Sequence, residues 1–408
     1  MILFVYSIDE PYHCIKASYK TTTKVRVVFD ASCKGRNGVS LNDDLMVGPT
    51  LQSELRHIIM RWRTHRICLS ADITKMYRQI RVNEDDADFQ RILWRDTPDK
   101  DIMEYKILRV TFGTSSAPYL AVKTLMQLAI DEGSKYPLVA DRVKKDFYMD
   151  DFMSGCENVN EAIQIYDQLN DLLNKGGFEL KKWKSNNESV MNMIRDKNEN
   201  IKRVEEGKGI EEQLVEGKNK LLGLTWNRIQ DEFEYAVSLP PMSAPVTKRK
   251  VISDISRLYD PLGWIAPSII SSKIFIQKLW LSGLGWDDVL PQRLFEEWIA
   301  YRENLTKLTN FRLPRWMKCK GNDRLVELHG FCDASNVAYG AVVYLRVVTF
   351  EGNSEVSLIS AKTRVAPIKQ VSIPRLELCG AVLLAKLLVE IGTVLEVPKQ
   401  HWHAWTDS

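Results

Sequence analysis

The chain has 408 residues, 45% hydrophobic and 27% charged, enough for about two to four domains with sizeable cores. That composition excludes a disordered or low-complexity polymer, and a formal net charge of +3 is too mild to mark a nucleic-acid partner by itself. Seven cysteines (Cys14, Cys33, Cys68, Cys156, Cys319, Cys332, Cys379), odd in number and without a C-x-x-C pair, read as reduced thiols and exclude a disulfide framework.

The first residues, Met1 to Tyr6, lack a basic region and meet Asp9 and Glu10 at once, so no signal peptide and an intracellular, cytoplasmic location are expected. Lys24 to Phe29 reads as a strand, followed by turn chemistry at Asn37-Gly38. Residues 51–66 carry apolar side chains at helical spacing, with Arg56, Arg61, Arg63, His65 and Arg66 as a basic cluster suited to a solvated face or a phosphate-bearing ligand. Ile67 to Ala71 then reads as a buried strand that delivers Asp72 at its end. A strand-like stretch over 105–112 leads through Gly113 into a helix carrying Leu120, Leu125 and Leu128.

Phe147-Tyr148-Met149-Asp150-Asp151-Phe152-Met153 reads as an apolar hairpin with two acids at its tip. Neighbouring strand side chains point to opposite faces, so both carboxylates serve one site only if the chain turns at the pair. Carboxylates held close by an apolar frame repel each other, and a divalent cation is the usual way to keep both ionised. Acidic pairs also occur as plain solvated turns, as at Asp43-Asp44, Asp85-Asp86 and Asp287-Asp288.

Glu161 to Lys175 follows as an amphipathic helix, 186–219 as a polar insertion, and Lys220 to Trp226 as a strand. Residues 240–320 are mostly helical, with a turn signal at Asp260-Pro261-Leu262-Gly263. A last block pairs strand patterns at 326–331 and 339–350 with a helix over 376–390, whose apolar run is broken by Lys386 and fits a buried face better than a membrane span. His401-x-His403 is too sparse for a metal site and reads as strand.

The ordered motifs resemble a reverse transcriptase. Asp72 with Tyr77 five residues on, Phe112-Gly113-Thr114-Ser115-Ser116-Ala117-Pro118, Tyr148-Met149-Asp150-Asp151, Gly177 with Lys184, Leu222-Gly223 as a primer-grip strand, and Arg26-Val27-Val28-Phe29-Asp30 are similar to successive motifs of that family. The wording of Lys24 to Ser32, Ser40 to Asp43 and Tyr259 to Gly263 resembles the BEL/Pao group of LTR retrotransposons.

The resemblance implies an α+β right-hand polymerase with a helical connection, followed by a partial ribonuclease H-like α/β domain. Its boundaries are expected at 1–235 (fingers and palm), 236–322 (thumb or connection) and 323–408. It implies RNA-directed DNA polymerase activity within a polyprotein. Asp72 and Asp150 would ligate two Mg²⁺ or Mn²⁺ ions, with Asp151 in support. Lys24 and Arg26 would hold the triphosphate, Tyr77 would exclude a ribose 2′-hydroxyl, Phe112 and Gly113 would lie beneath the nucleotide, and Lys184 would face the leaving group. Asp333, Glu377 and Asp407 match three of four ribonuclease H metal ligands, with the fourth expected beyond Ser408.

Partners implied are an RNA or DNA template, a primer and deoxynucleoside triphosphates, with no membrane. Two other readings stand beside this one. An inactive, retroelement-derived nucleic-acid-binding fragment would retain the fold alone. An aspartic peptidase could be drawn from Asp30-Ala31-Ser32 and Asp333-Ala334-Ser335, but neither copy has the glycine that chemistry requires.

Overall fold

The computed structural model describes residues 29–204, 218–321 and 323–407, so Lys24 and Arg26 and most of their expected strand lie outside the described residues. Two compact units are interleaved along the sequence. One comprises the residues up to Ser53 with Ser70–Met153 and Asn160–Lys184; the other comprises Glu54–Leu69, Ser154–Val159 and Ser185–Ser408.

The short helix α1 (Leu41–Asp44) is fixed by a capping box in which Ser40 and Asp43 satisfy each other's backbone N–H. Helix α2 (Leu55–Trp62) is shorter than predicted, with Glu54 and Arg63 at its caps. The basic cluster also needs correction. Arg63 is fully buried, donating to the carbonyls of Arg315, Pro314 and Leu358, and His65 is buried too. A guanidinium persists inside a protein only with its donors satisfied, so Arg63 is core and not a phosphate-facing surface.

Strand β1 (Ile67–Ile73) is buried except at Asp72. Helix α3 (Met76–Gln79) leads to an antiparallel hairpin of β2 (Arg91–Trp94) and β3 (Met103–Lys106). The strand predicted over 105–112 therefore ends at Lys106. Beyond it the chain touches residues 80–82 through separate bonds, Val82 N–H to Leu108 O and Val110 N–H to Ile80 O, without a ladder.

Helix α4 (Ala117–Asp131) starts with proline in its first turn, where the missing N–H costs nothing. Then come α5 (Ala140–Lys145), β4 (Phe147–Tyr148), β5 (Asp151–Cys156), α6 (Val159–Lys175) and β6 (Leu180–Ser185). The sheet has the order β4-β5-β1-β6. α6 lays Ala162, Ile165, Tyr166, Leu169, Leu172 and Leu173 into the core at helical spacing. The stretch predicted as a polar insertion is helical in part: α7 (Glu188–Val204) buries Val190, Met191 and Ile194.

In the second unit, β7 (Lys218–Leu221), β8 (Leu224–Asn227) and β9 (Glu232–Glu234) precede α8 (Lys248–Ile255), α9 (Ala266–Leu281), α10 (Gln292–Asn304) and β10 (Arg312–Pro314). Leu222-Gly223, read as strand, is instead the two-residue turn between β7 and β8. Both residues have positive φ (48° and 87°), as a type I′ turn requires. The predicted helical segment is present and is closed by a core of Val246, Val251, Phe275, Leu279, Leu290 and Trp298.

The last sheet has the order β13-β12-β11-β14, from β11 (Arg324–Ala334), β12 (Ala338–Thr349), β13 (Ser354–Val365) and, after α11 (Ile373–Val394), β14 (Trp402–Trp405). β13 was not foreseen, because its run of Ser, Glu, Lys, Thr and Arg hides the alternation. α11 buries Leu376, Gly380, Leu383, Leu384, Leu387, Leu388 and Ile391 along one stripe, so its apolar run is a core face as expected. No helix of the described residues is long and apolar enough to cross a membrane.

Candidate active site

Tyr148 pairs with Asp151, so the β4–β5 turn consists of Met149 and Asp150 and sits one residue earlier than the acid-pair tip predicted. Asp150 stands on the turn and Asp151 opens β5. Met149 has φ 55°, a left-handed conformation that non-glycine residues seldom adopt, and its N–H is held by Gln52 Oε1 at 3.1 Å. The N–H of Ile73 donates to Asp150 O at 2.8 Å, which pins the turn to the end of β1 and brings Asp72 beside the pair. The N–H of Thr74 donates to Glu179 O, tying the same strand end to the approach to β6.

The electrostatics reflect that crowding. Burial and then the neighbouring Asp72 push the Asp150 carboxyl above its usual range. Asp151 rises to about 6 through burial, Asp150 and Asp72, against the pull of Lys182 and Lys184. Asp72 is ion-paired to Lys182, with Nζ 3.2 Å from Oδ1. Burial lowers the Lys184 ammonium, while Asp151 opposes that effect.

Lys182 was not singled out from the sequence. Its left-handed backbone, φ 57°, interrupts the alternation of β6, so no strand pattern marked it.

Tyr77 follows a left-handed turn at Lys75 and sits half-buried on α3, its hydroxyl pushed up by burial and by Asp150. The predicted gate residue therefore neighbours the acidic group. Phe112 packs on Phe29 with ring centroids 5.3 Å apart. Gly113 has φ +100°, and a Cβ there would lie 2.2 Å from Phe29 O, so this position demands glycine on structural grounds alone.

Asn42 holds the same turn. Its Nδ2 donates to Gly113 O at 3.0 Å, and its Oδ1 accepts from the Ser115 N–H at 2.7 Å. In the sequence Asn42 stands out only within the run Ser40 to Asp43.

A second acidic group lies on the last sheet. Strand β14 runs parallel to β11 with Phe331 opposite Trp405, so two residues further on Asp333 and Asp407 emerge side by side. α11 packs on this end of the sheet with Gly380 next to Cys332 and Asp333, and one turn earlier Glu377 faces the same end. Ligand atoms of Asp333, Glu377 and Asp407 all lie within 4.8 Å of one another. Glu377 is buried, and its Oε2 has no hydrogen-bond partner. Asp333, weighed as half of a peptidase motif, sits in this group.

Both groups offer only carboxylate oxygens, a donor set suited to Mg²⁺ or Mn²⁺. A divalent cation would offset the raised proton affinities of Asp150 and Asp151 and give the unpartnered buried oxygen of Glu377 a partner.

Two family profiles match the chain. One, described as reverse transcriptase (RNA-dependent DNA polymerase), covers residues 14–226; the other, described as a Pao retrotransposon-like RNaseH-like domain, covers residues 247–408. No curated protein matches. Among solved structures, the foamy viral protease-reverse transcriptase dRH in complex with ds DNA is similar at 12% identity and a TM-score of 0.57, over 95% of this chain and 57% of that one.

The foamy viral protease-reverse transcriptase in complex with RNA/DNA hybrid gives 12% and 0.52 over 93% and 43% of the two chains. Its complex with dsDNA gives 14% and 0.51 over 95% and 68%. At such identities the likeness is one of fold. The chain spans roughly half the length of the first two relatives.

Proposed function

The chain belongs to the reverse transcriptase family, of the Pao retrotransposon type with a ribonuclease H-like domain, and on that premise we propose that it is an RNA-directed DNA polymerase. It extends a primer 3′-hydroxyl with deoxynucleotides on an RNA or DNA template. The observation that carries this reading is the convergence of Asp72, Asp150 and Asp151 where the β4–β5 turn is pinned to the end of β1.

Asp72 and Asp150 would hold the divalent cations, with Asp151 in support from the first position of β5. Two such cations, when bound, supply charge neutralisation at the transferring phosphate. Lys182 holds positive charge at Asp72, and Lys184 offers a second ammonium near Asp151. Tyr77 presents its ring beside Asp150 and excludes a 2′-hydroxyl. Phe112 and Gly113 form the floor under the nucleotide, kept in place by Asn42. Lys24 and Arg26 take the triphosphate, a role that rests on the sequence resemblance.

We assign 1–235, 236–322 and 323–408 as polymerase, connection and ribonuclease H-like regions of a polyprotein. Asp333, Glu377 and Asp407 would hold the cations for cleavage of an RNA/DNA hybrid. None of the six described cysteines is in a disulfide.

The test is extension of a DNA primer on an RNA template with deoxynucleotides and Mg²⁺. Template-dependent products are expected. Folded protein that binds the primed template without extending it would establish the inactive-fragment reading instead.

A further inference from the structure

Three side chains remain on the last sheet that neither acidic group uses. His329 on β11 is the ladder partner of His403 on β14, and Glu327, two residues earlier, shares their face. The imidazoles are stacked, with centroids 4.7 Å apart and planes at 22°. Both direct Nε2 at one carboxylate: His329 Nε2 lies 3.3 Å from Glu327 Oε2, and His403 Nε2 lies 3.7 Å from Oε1. Taken together, one ligand atom from each residue falls within 4.8 Å of the others.

We propose that Glu327, His329 and His403 form a binding site for a zinc-type divalent transition metal, separate from both carboxylate sites. The donor set decides the class of metal. Imidazole nitrogen selects zinc and its neighbours, whereas Mg²⁺ prefers oxygen alone.

The geometry is close to what such an ion needs. Bonds of about 2.1 Å in tetrahedral array put ligand atoms roughly 3.4 Å apart, within reach of small side-chain rotations from the distances observed. Two hydrogen-bonded strands supply the ligands, so the backbone is already organised. Arg346 donates to Glu327 Oε2 at 2.7 Å, which leaves Oε1 for the metal and gives the carboxylate the outer partner that ligating groups usually have. Side-chain exposures of 13%, 22% and 39% for Glu327, His329 and His403 leave the site reachable from solvent.

His329 and Asp333, like His403 and Asp407, are four positions apart, about 13 Å at about 3.3 Å per residue of extended chain. One ion cannot serve both places. The sequence pattern His401-x-His403 marked no metal site, because the second imidazole comes from across the ladder.

The test uses residues 1–408 with Asp150→Asn and Asp333→Asn to weaken the carboxylate sites, titrated with Co²⁺ and followed by visible absorption. A single equivalent should give the intense bands of four-coordinate, nitrogen-ligated cobalt, and Zn²⁺ should remove them. His329→Gln and His403→Gln, both at partly exposed positions, should each weaken binding by more than the ~10–100-fold typical of losing an outer partner. Absence of the bands in the parent protein overturns the proposal. So does their persistence in both histidine variants, with circular dichroism verifying that each is folded.

Discussion

The carboxylates of the first unit meet at a hairpin turn, whereas those of the second meet at the ends of two parallel strands and on the helix facing them. In the first, Asp150 and Asp151 are adjacent in sequence and half-buried; burial and Asp72 make both harder to ionise, Asp150 adds to the cost at Asp151, and Lys182 opposes it. In the second, Asp333 and Asp407 are exposed, Glu377 is buried, and ligand atoms of all three already lie within 4.8 Å. The triad Asp72, Asp150 and Asp151 is not among the described groups that meet that limit. A strained turn with a lysine guard makes one site, and ladder register makes the other. The first should respond more strongly to a bound cation.

The comparison breaks most visibly in activity. Asp150→Asn should reduce primer extension by at least about 10²–10³-fold, the scale of losing one preorganised electrostatic contact, while Mn²⁺ binding at Asp333, Glu377 and Asp407 is unchanged. Equal loss at both sites would mean that the two are not independent. Tyr77→Ala should raise ribonucleotide incorporation relative to deoxynucleotide by up to about 10²-fold, the limit of discrimination against one added hydroxyl by an apolar contact. Unaltered selectivity would remove the gate. Glu377→Gln should weaken Mn²⁺ binding, read by electron paramagnetic resonance, by about 10-fold or more without affecting extension.

The smallest effect concerns stability without metal. The carboxyl of Asp151 is raised to about 6 in the folded chain, above its ordinary value, so the folded state keeps the proton longer. Stability is therefore lost as pH rises from about 4 through 6, and the loss is complete above that window. Asp150→Asn removes one of the charges responsible. In the presence of a chelator it should raise the melting temperature by about 2–4 °C at pH 8 and leave it unchanged at pH 4. A gain of equal size at both pH values would assign the effect to packing.

Much of this was legible before the structure. Asp72 and the Asp150-Asp151 pair stand out because each ends or interrupts an apolar run, and α6 and α11 follow their spacing of buried residues, whereas α4 buries Ala121, Val122, Leu125 and Ala129 and leaves Leu120 exposed. The hairpin register was not legible, because hydrophobicity does not say which two residues turn, and Met149 adopts a backbone region that its side chain disfavours. Arg63 was misplaced because its partners are carbonyls about 250 to 300 positions away in sequence. The pairings of Asp333 with Asp407 and of His329 with His403 follow from the register of β11 and β14. Lys182 needed the left-handed backbone at its own position, φ 57°, to reach Asp72.

The central claim is that Asp72 and Asp150, rather than the acid pair as such, hold the catalytic cations. Single-turnover extension of one primed RNA template by Asp72→Asn, Asp150→Asn and Asp151→Asn tests it directly. The first two variants should lose on the order of 10³-fold, with Asp151→Asn retaining clearly more activity. Full activity in Asp150→Asn, or Asp151→Asn as the most damaged of the three, would contradict the account.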